Sequence, residues 1–400
     1  LSQKGIPLSR PAELESLKGG KPVARSDEHS GEVRKHLLTL IERMGPIPMD
    51  RYMETVLYHP RFGYYRRLFP SRSDYITAPQ VSSIFSLTIA RFVAGASAHI
   101  GGEGPLFVVE LGAGDGRLAA EATGSPPLAP LISHGRIVWL ALDLGYVRSG
   151  PLHRGAFQPV AGDGIASMRN LGRALVLGNE FFDALPCKTV VFHEGAFREV
   201  FVTAREGRLA ESLGPVSSPQ LEEHITTAKL PPLEGARFEI CLEGREVIHH
   251  LSSLVGSGLL VTIDYGDTAE VLLSRALGGG TLRSFGSHSV MSGVLDRPGA
   301  TDMTADVNFS DLIRWGSLWE WEKICLETQY DFMMAQGLLE EISRMAALAA
   351  QGKGLPEYLA AKRFLIPGGI QERYHVLIQA KGLSHLQREA VRRMVAPPRG

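Results

Sequence analysis

Val108-Val109-Glu110-Leu111-Gly112-Ala113-Gly114-Asp115-Gly116 is an apolar, strand-forming run that ends on a carboxylate and passes into a G-x-G-x-G loop, with a helix expected from Arg117. Strand, glycine loop and helix in that order form the first unit of a parallel α/β sheet, whose ligands bind at the carboxyl edge of the strands. Glycines there let the backbone pass beneath a bulky ligand. The loop also discriminates between ligands. A dinucleotide sets its pyrophosphate on the helix N-terminus, where Glu110 and Asp115 would repel it, and its loop is spaced G-x-G-x-x-G. S-adenosylmethionine carries an ammonium and a sulfonium, so carboxylates beside the loop favour it. The expected cofactor is therefore S-adenosylmethionine, with S-adenosylhomocysteine as product, bound by Glu110, Gly112, Gly114 and Gly116. A nicotinamide-dependent oxidoreductase is disfavoured by the same spacing and charge.

Further strand-type runs at Leu106-Leu111, Arg136-Leu142, Ala174-Gly178 and Leu259-Asp264, separated by helix-length segments, predict a Rossmann-like α/β sheet with helices on both faces. Between the last two, Thr189-His193 and Phe197-Thr203 around Glu194-Gly195 read as a β-hairpin, and polar sequence from Arg205 to Glu234 as a surface excursion. Upstream, residues 1–29 read as a mobile arm, Glu32 to Met44 and Asp50 to Leu57 as helices, and Val81 to Ala98 as an apolar helix. The aromatic stretch Tyr58, Phe62, Tyr64 and Tyr65 reads as satellite core before a binding surface. Downstream, Gly278 to Gly280 and Arg297 to Asp302 read as loops, Asp331 to Ala350 as a helix and Tyr374 to Ala380 as a strand. The resulting division is an arm (1–29), an N-terminal helical lid (30–100), a cofactor-binding core (101–270) with an inserted excursion at about 188–240, and a C-terminal α/β elaboration (271–400).

A chain of 400 residues, 44% hydrophobic and 21% charged, can bury a full core, and a formal net charge of -1 gives no global field for nucleic acid or an anionic membrane. The three cysteines, Cys187, Cys241 and Cys325, form no CxxC pair, which argues against zinc and against a disulfide framework. No metal site is expected. No run of about eighteen apolar residues suggests a membrane span.

Around the loop, Asp143 ends the second strand where a carboxylate accepts ribose hydroxyls, with helix capping as the plainer role. Asp163, in Gly162-Asp163-Gly164, either reaches the adenine amino group or makes an ordinary turn. Gly178-Asn179-Glu180-Phe181-Phe182-Asp183-Ala184-Leu185-Pro186 ends the fourth strand above the expected methyl group. Asn179, Glu180 and Asp183 are the candidate catalytic residues. Glu180 and Asp183 can clamp a guanidinium through charge-assisted hydrogen bonds, or Asp183 can cap a following helix. Phe181 and Phe182 wall off water and cover a cation. Asp264-Tyr265-Gly266 closes the fifth strand on the same rim, and His288 and His375 read as satisfied or surface residues rather than bases.

Together these segments resemble the MidA-like methyltransferases, a family that includes a mitochondrial complex I assembly factor methylating an arginine of a complex I subunit. The resemblance runs from Pro46-Ile47-Pro48 and Tyr52-Met53 through Leu57-Tyr58-His59-Pro60, Gly63-Tyr64-Tyr65, Asp74 to Gln80, Glu110 to Gly116, Asn179 to Pro186, Asp264-Tyr265-Gly266 and Pro298 to Phe309. Asn179 to Pro186 is its most specific piece. It implies a class I methyltransferase fold with extra helical parts over the cofactor, and places Thr77, Pro79 and Gln80 in the lid over the methionine end, with Asn179 also at the cofactor. Departures are Asp143-Leu144-Gly145-Tyr146, where the family has a glutamate in an acidic-Ile-Ser-Pro segment, and Arg72-Ser73, where it has Gly-Gly. The implied acceptor is an arginine of a partner protein; the alternatives are a small-molecule acceptor and a non-catalytic binding protein. A homodimer is allowed, and the compartment is bacterial cytoplasm or, for a processed organellar protein, the mitochondrial matrix.

Overall fold

Leu106, Val108, Val109 and Leu111 are buried on alternating sides of one strand, the pattern of a strand covered by helices on both faces. The computed structural model describes residues 25–67, 78–144, 158–161, 165, 168–286, 289–291, 293–366 and 373–396. With strands numbered in chain order, the central sheet holds β2 (Leu106–Leu111), β3 (Ile137–Asp143), β4 (Gln158–Ala161), β5 (Gly172–Asn179), β10 (Val255–Asp267), β15 (Glu322–Thr328) and β16 (Tyr374–Lys381), in the spatial order β15-β16-β10-β5-β2-β3-β4. The five from β10 to β4 are parallel, and β16 inserts antiparallel between β10 and β15. Strand order reverses between β2 and β5, which opens a crevice above their carboxyl ends. A short β14 (Val307–Asn308) extends β10 on its far side.

One face of the sheet is closed by the helix Ser83–Ser97 together with Arg117–Thr123, Leu338–Ala350 and His385–Val395; Phe85, Phe92, Trp139 and Phe332 form its packed centre. The other face packs on Leu242–Leu254 and Phe309–Leu318 through Ile248, Phe309 and Trp315. A second, antiparallel sheet holds β6 (Lys188–His193), β7 (Ala196–Arg205), β8 (Arg208–Gly214), β9 (Arg237–Ile240) and the two-residue β1 (Ile47–Pro48). The helices Arg25–Met44 and Met49–Tyr58 pack on it, and Lys188, buried, joins Asp50 at 3.0 Å and Glu199 at 3.1 Å across that junction. A third sheet, β12-β11-β13, holds β11 (Arg283–Gly286), β12 (Ser289–Val290) and β13 (Asp302–Thr304).

The hairpin around Glu194-Gly195 is present as β6 and β7, and the segment expected as a surface excursion carries regular structure: β8 pairs along β7 and the helix Pro219–Thr227 follows. Its polar sequence is that of a sheet whose outer face meets water. The helix expected over Asp331 to Ala350 is broken into Gln329–Ala335 and Leu338–Ala350, because Gly337 adopts φ +80°. The first helix begins at Arg25, inside the segment expected to be a mobile arm; residues 1–24 lie outside the described residues. Among the described residues no helix is long and apolar enough to cross a membrane.

Candidate active site

The glycine loop closes at the end of β2 with Gly112, Gly114 and Gly116 at φ +66°, +55° and +78°, a region side chains rarely enter. Ala113 N–H donates to the Leu142 carbonyl at 2.9 Å, and Gly114 N–H donates to Asp143 Oδ2 at 2.9 Å, so the second strand end braces the loop. A Cβ on Gly112 would meet Phe181 Cδ2 at 3.1 Å, while one on Gly114 would meet nothing within 4 Å. The loop is thus tight against the turn at Phe181 on one side and open on the other. Asp115 accepts at 3.0 Å from Arg117 N–H, the first amide of the helix that begins there. Glu110 is buried, accepts from Trp139 Nε1 at 2.9 Å, and has its pKa pushed up to about 8 by burial, with Asp143 and Asp115 adding to the rise. These groups suit a phosphate-free cationic ligand: carboxylates surround the loop, and a buried carboxyl that meets no cation among the described residues gains by meeting an ammonium.

At the end of β5 the chain turns on Glu180, whose φ is +52°. The turn is wound around Asp264, fully buried at the carboxyl end of β10: the N–H groups of Phe181, Phe182 and Asp183 all point at Asp264 Oδ2, at 3.2, 2.9 and 3.4 Å. Tyr265 N–H holds Oδ1 at 2.9 Å. Successive amides around one carboxyl oxygen form a backbone nest. Burial, then Asp183 and Glu180, push the Asp264 pKa up, and the amides oppose them. Asn179 Nδ2 donates to Glu180 Oε1 at 3.3 Å, and the Tyr374 hydroxyl donates to Glu180 Oε2 at 3.1 Å.

Asp183 departs from both roles expected of it. No helix follows it to be capped, and its carboxylate faces inward: it is 7% exposed, Oδ2 accepts from the Thr304 hydroxyl at 2.9 Å, and Oδ1 is buried. Burial lifts its pKa to about 6. The pair three residues apart is split because the turn wound on Asp264 aims one carboxylate at the rim and the other into the protein.

The aromatic stretch is core and also a contact of the site. Tyr58 donates to the Ala184 carbonyl at 2.8 Å, stacks near Tyr65 at 5.4 Å between ring centroids, and Tyr65 donates to Asp302 at 2.7 Å. Arg66 reaches the Leu144 carbonyl at 2.6 Å, just past Asp143. Pro79 is buried in the short helix Ala78–Val81; Thr77, the Gln80 side chain, Asp163 and His288 lie outside the described residues. His375 sits in β16 with its ring 5.6 Å from Phe309, a packing position. Tyr374 and Thr304 were invisible as site residues in the sequence, since a tyrosine opening a strand and a threonine ending one have no signature.

Residues 163–324 match the family model for S-adenosyl-L-methionine-dependent methyltransferases. The mitochondrial protein arginine methyltransferase NDUFAF7 of Mus musculus is 31% identical over 329 residues, covering 74% of this chain and 72% of that protein. Its Drosophila melanogaster homolog is 28% identical over 327 residues, covering 72% of this chain and 71% of that protein. A crystal structure from Burkholderia thailandensis bound to S-adenosyl-homocysteine superposes with a TM-score of 0.78 at 25% identity, covering 91% of this chain and 96% of that one. With the G-x-G-x-G loop at the switch point and a turn wound on the fifth strand, these likenesses have one reading: the chain is an S-adenosylmethionine-dependent methyltransferase and belongs to the MidA-like family.

Proposed function

We propose that the chain transfers a methyl group to an arginine nitrogen of a partner protein. The observation that carries this is Glu180, a carboxylate held at the rim of the crevice by Asn179 and Tyr374, directly beyond the strand end that faces the glycine loop. The relatives' names, protein arginine methyltransferase, point the same way. In this reading Glu110, Asp143, Gly112, Gly114 and Gly116 hold the cofactor, with Thr77, Pro79, Gln80 and Asp163 completing its surroundings. When bound, S-adenosylmethionine supplies an electrophilic methyl group on a good leaving group.

The protein's own work is positioning and desolvation. Glu180 accepts from the guanidinium and turns one nitrogen toward the crevice; the proton that nitrogen loses on methylation passes to the carboxylate and on to water. Phe181, packed edge-on to Phe182 at 5.2 Å and against Gly112, keeps water from the same space. Asp183 supports the turn from behind through Thr304 rather than touching the acceptor.

The test is incubation with methyl-labelled S-adenosylmethionine and a cell extract, followed by acid hydrolysis and chromatography of the amino acids. Label in methylarginine that Glu180→Gln abolishes without loss of S-adenosylhomocysteine binding is the expected result. Label confined to the small-molecule fraction would transfer the assignment to a small-molecule acceptor.

A further inference from the structure

Glu180 is held by unusual means. Its backbone is in the left-handed region, a conformation that costs a non-glycine residue about 1 kcal/mol or more, and its N–H is tied to the Ile263 carbonyl at 2.8 Å. The three following amides wrap Asp264. The backbone is thus fixed from β10, but a glutamate side chain has three rotatable bonds, and a fixed Cα alone does not aim its carboxylate. That aim comes from two side chains: Asn179 Nδ2 holds Oε1 at 3.3 Å, and the last strand of the sheet holds the other oxygen. Tyr374 opens β16, opposite Tyr265 in the antiparallel register, and its hydroxyl donates to Glu180 Oε2 at 3.1 Å. The tyrosine is itself immobilised: its ring meets Tyr265 edge-on at 5.7 Å, Arg283 lies 4.7 Å from the centre of the Tyr265 ring, and Arg373 donates to the Tyr265 hydroxyl at 3.1 Å. Arg283 is in turn anchored on Asp306 at 2.5 Å.

We propose that Tyr374 is a positioning residue that sets the Glu180 carboxylate for a guanidinium acceptor, so that the antiparallel final strand does more than complete the sheet. The inference rests on Glu180 being the acceptor-binding carboxylate. Tyr374 touches neither acceptor nor cofactor in this role; it removes rotamer freedom that the acceptor would otherwise have to freeze on binding.

The experiment titrates the full chain, saturated with S-adenosylhomocysteine, with acetyl-Gly-Arg-Gly-amide and with its lysine counterpart. Glu180→Gln is expected to weaken the arginine peptide roughly tenfold or more, the scale of a lost charge-assisted hydrogen bond. Tyr374→Phe should weaken it about threefold to tenfold, leave S-adenosylhomocysteine affinity and the lysine peptide unchanged, and add nothing on top of Glu180→Gln in the double variant. Placing 3-fluorotyrosine at position 374, which keeps the hydroxyl donor, should restore wild-type affinity. If Glu180→Gln weakens the peptide and Tyr374→Phe does not, or if the two effects simply add, the positioning role is wrong while the acceptor reading stands. If Glu180→Gln has no effect, or the wild type does not distinguish arginine from lysine, the acceptor reading fails and takes this proposal with it.

Discussion

Glu110 is a carboxyl that the folded protein keeps protonated up to a pKa of about 8, chiefly by burial. Because that value lies above its unfolded one, the native state holds a proton the unfolded chain has released between roughly pH 4.5 and 8, and stability falls as pH rises through that window. Glu110→Gln retains an acceptor for Trp139 and removes the titration, so in the absence of cofactor it should be more stable than wild type at pH 8, on the order of 4 kcal/mol, and indistinguishable near pH 4. Urea unfolding at the two pH values measures the difference. The same variant should bind S-adenosylhomocysteine about tenfold more weakly, since it cannot ionise to meet an ammonium. Gly112 makes the sharper test of the loop. Alanine there needs a left-handed residue and sets its Cβ 3.1 Å from Phe181, so the loop or the turn at Phe181 must shift. Gly112→Ala should cost roughly tenfold or more in S-adenosylhomocysteine affinity by calorimetry, and unchanged affinity would mean that the loop does not carry the ligand.

The turn from Glu180 to Asp183 and the strand β10 behave as one element, joined at Asp264. Removing that carboxylate strands four amides, of Phe181, Phe182, Asp183 and Tyr265, in a buried place. Asp264→Ala should therefore cost about 3 kcal/mol in urea unfolding and abolish methyl transfer. Asp264→Asn, which keeps one oxygen for the turn, should cost less than half of that. What the sequence displayed at this level follows from burial. β2 was legible to the residue, Leu106–Leu111, because a strand covered on both faces is a continuous apolar run. β15, Glu322–Thr328, escaped notice because it is an edge strand with only Ile324 and Cys325 buried, so charge and apolar character are mixed along it. β8 escaped for the same reason, with no residue of it fully buried. In the site, residue chemistry was legible while orientation was not. Glu180 and Asp183 read as a pair because spacing along the chain is all a sequence shows, and their separation arises from a carboxylate more than eighty residues away.

At the scale of the molecule, the turn from Glu180 to Asp183 is where the separate layers meet. Tyr58 from the N-terminal helices holds Ala184, Thr304 from the third sheet holds Asp183, Asp264 and Tyr374 come from the central sheet, and Cys187 leads into the second sheet with its thiol 3.5 Å from Met53. Partly buried Cys241 packs on both the central-sheet core and the core beneath the N-terminal helices, so the two are continuous through it. A ligand that braces this junction should stabilise all of it as one unit. With S-adenosylhomocysteine at a hundred times its dissociation constant, linkage adds about 2.7 kcal/mol to unfolding, a rise in melting temperature of several degrees. All four tryptophans, Trp139, Trp315, Trp319 and Trp321, lie in or against the central sheet, whereas far-ultraviolet circular dichroism reports every sheet. The two signals should melt together and move together on adding ligand, and Gly112→Arg should melt in one step with no ligand shift. A tryptophan transition that rises with ligand while part of the dichroism melts unmoved would show that the second sheet and the N-terminal helices unfold on their own, and that the contacts at Ala184 and Asp183 do not couple them to the cofactor crevice.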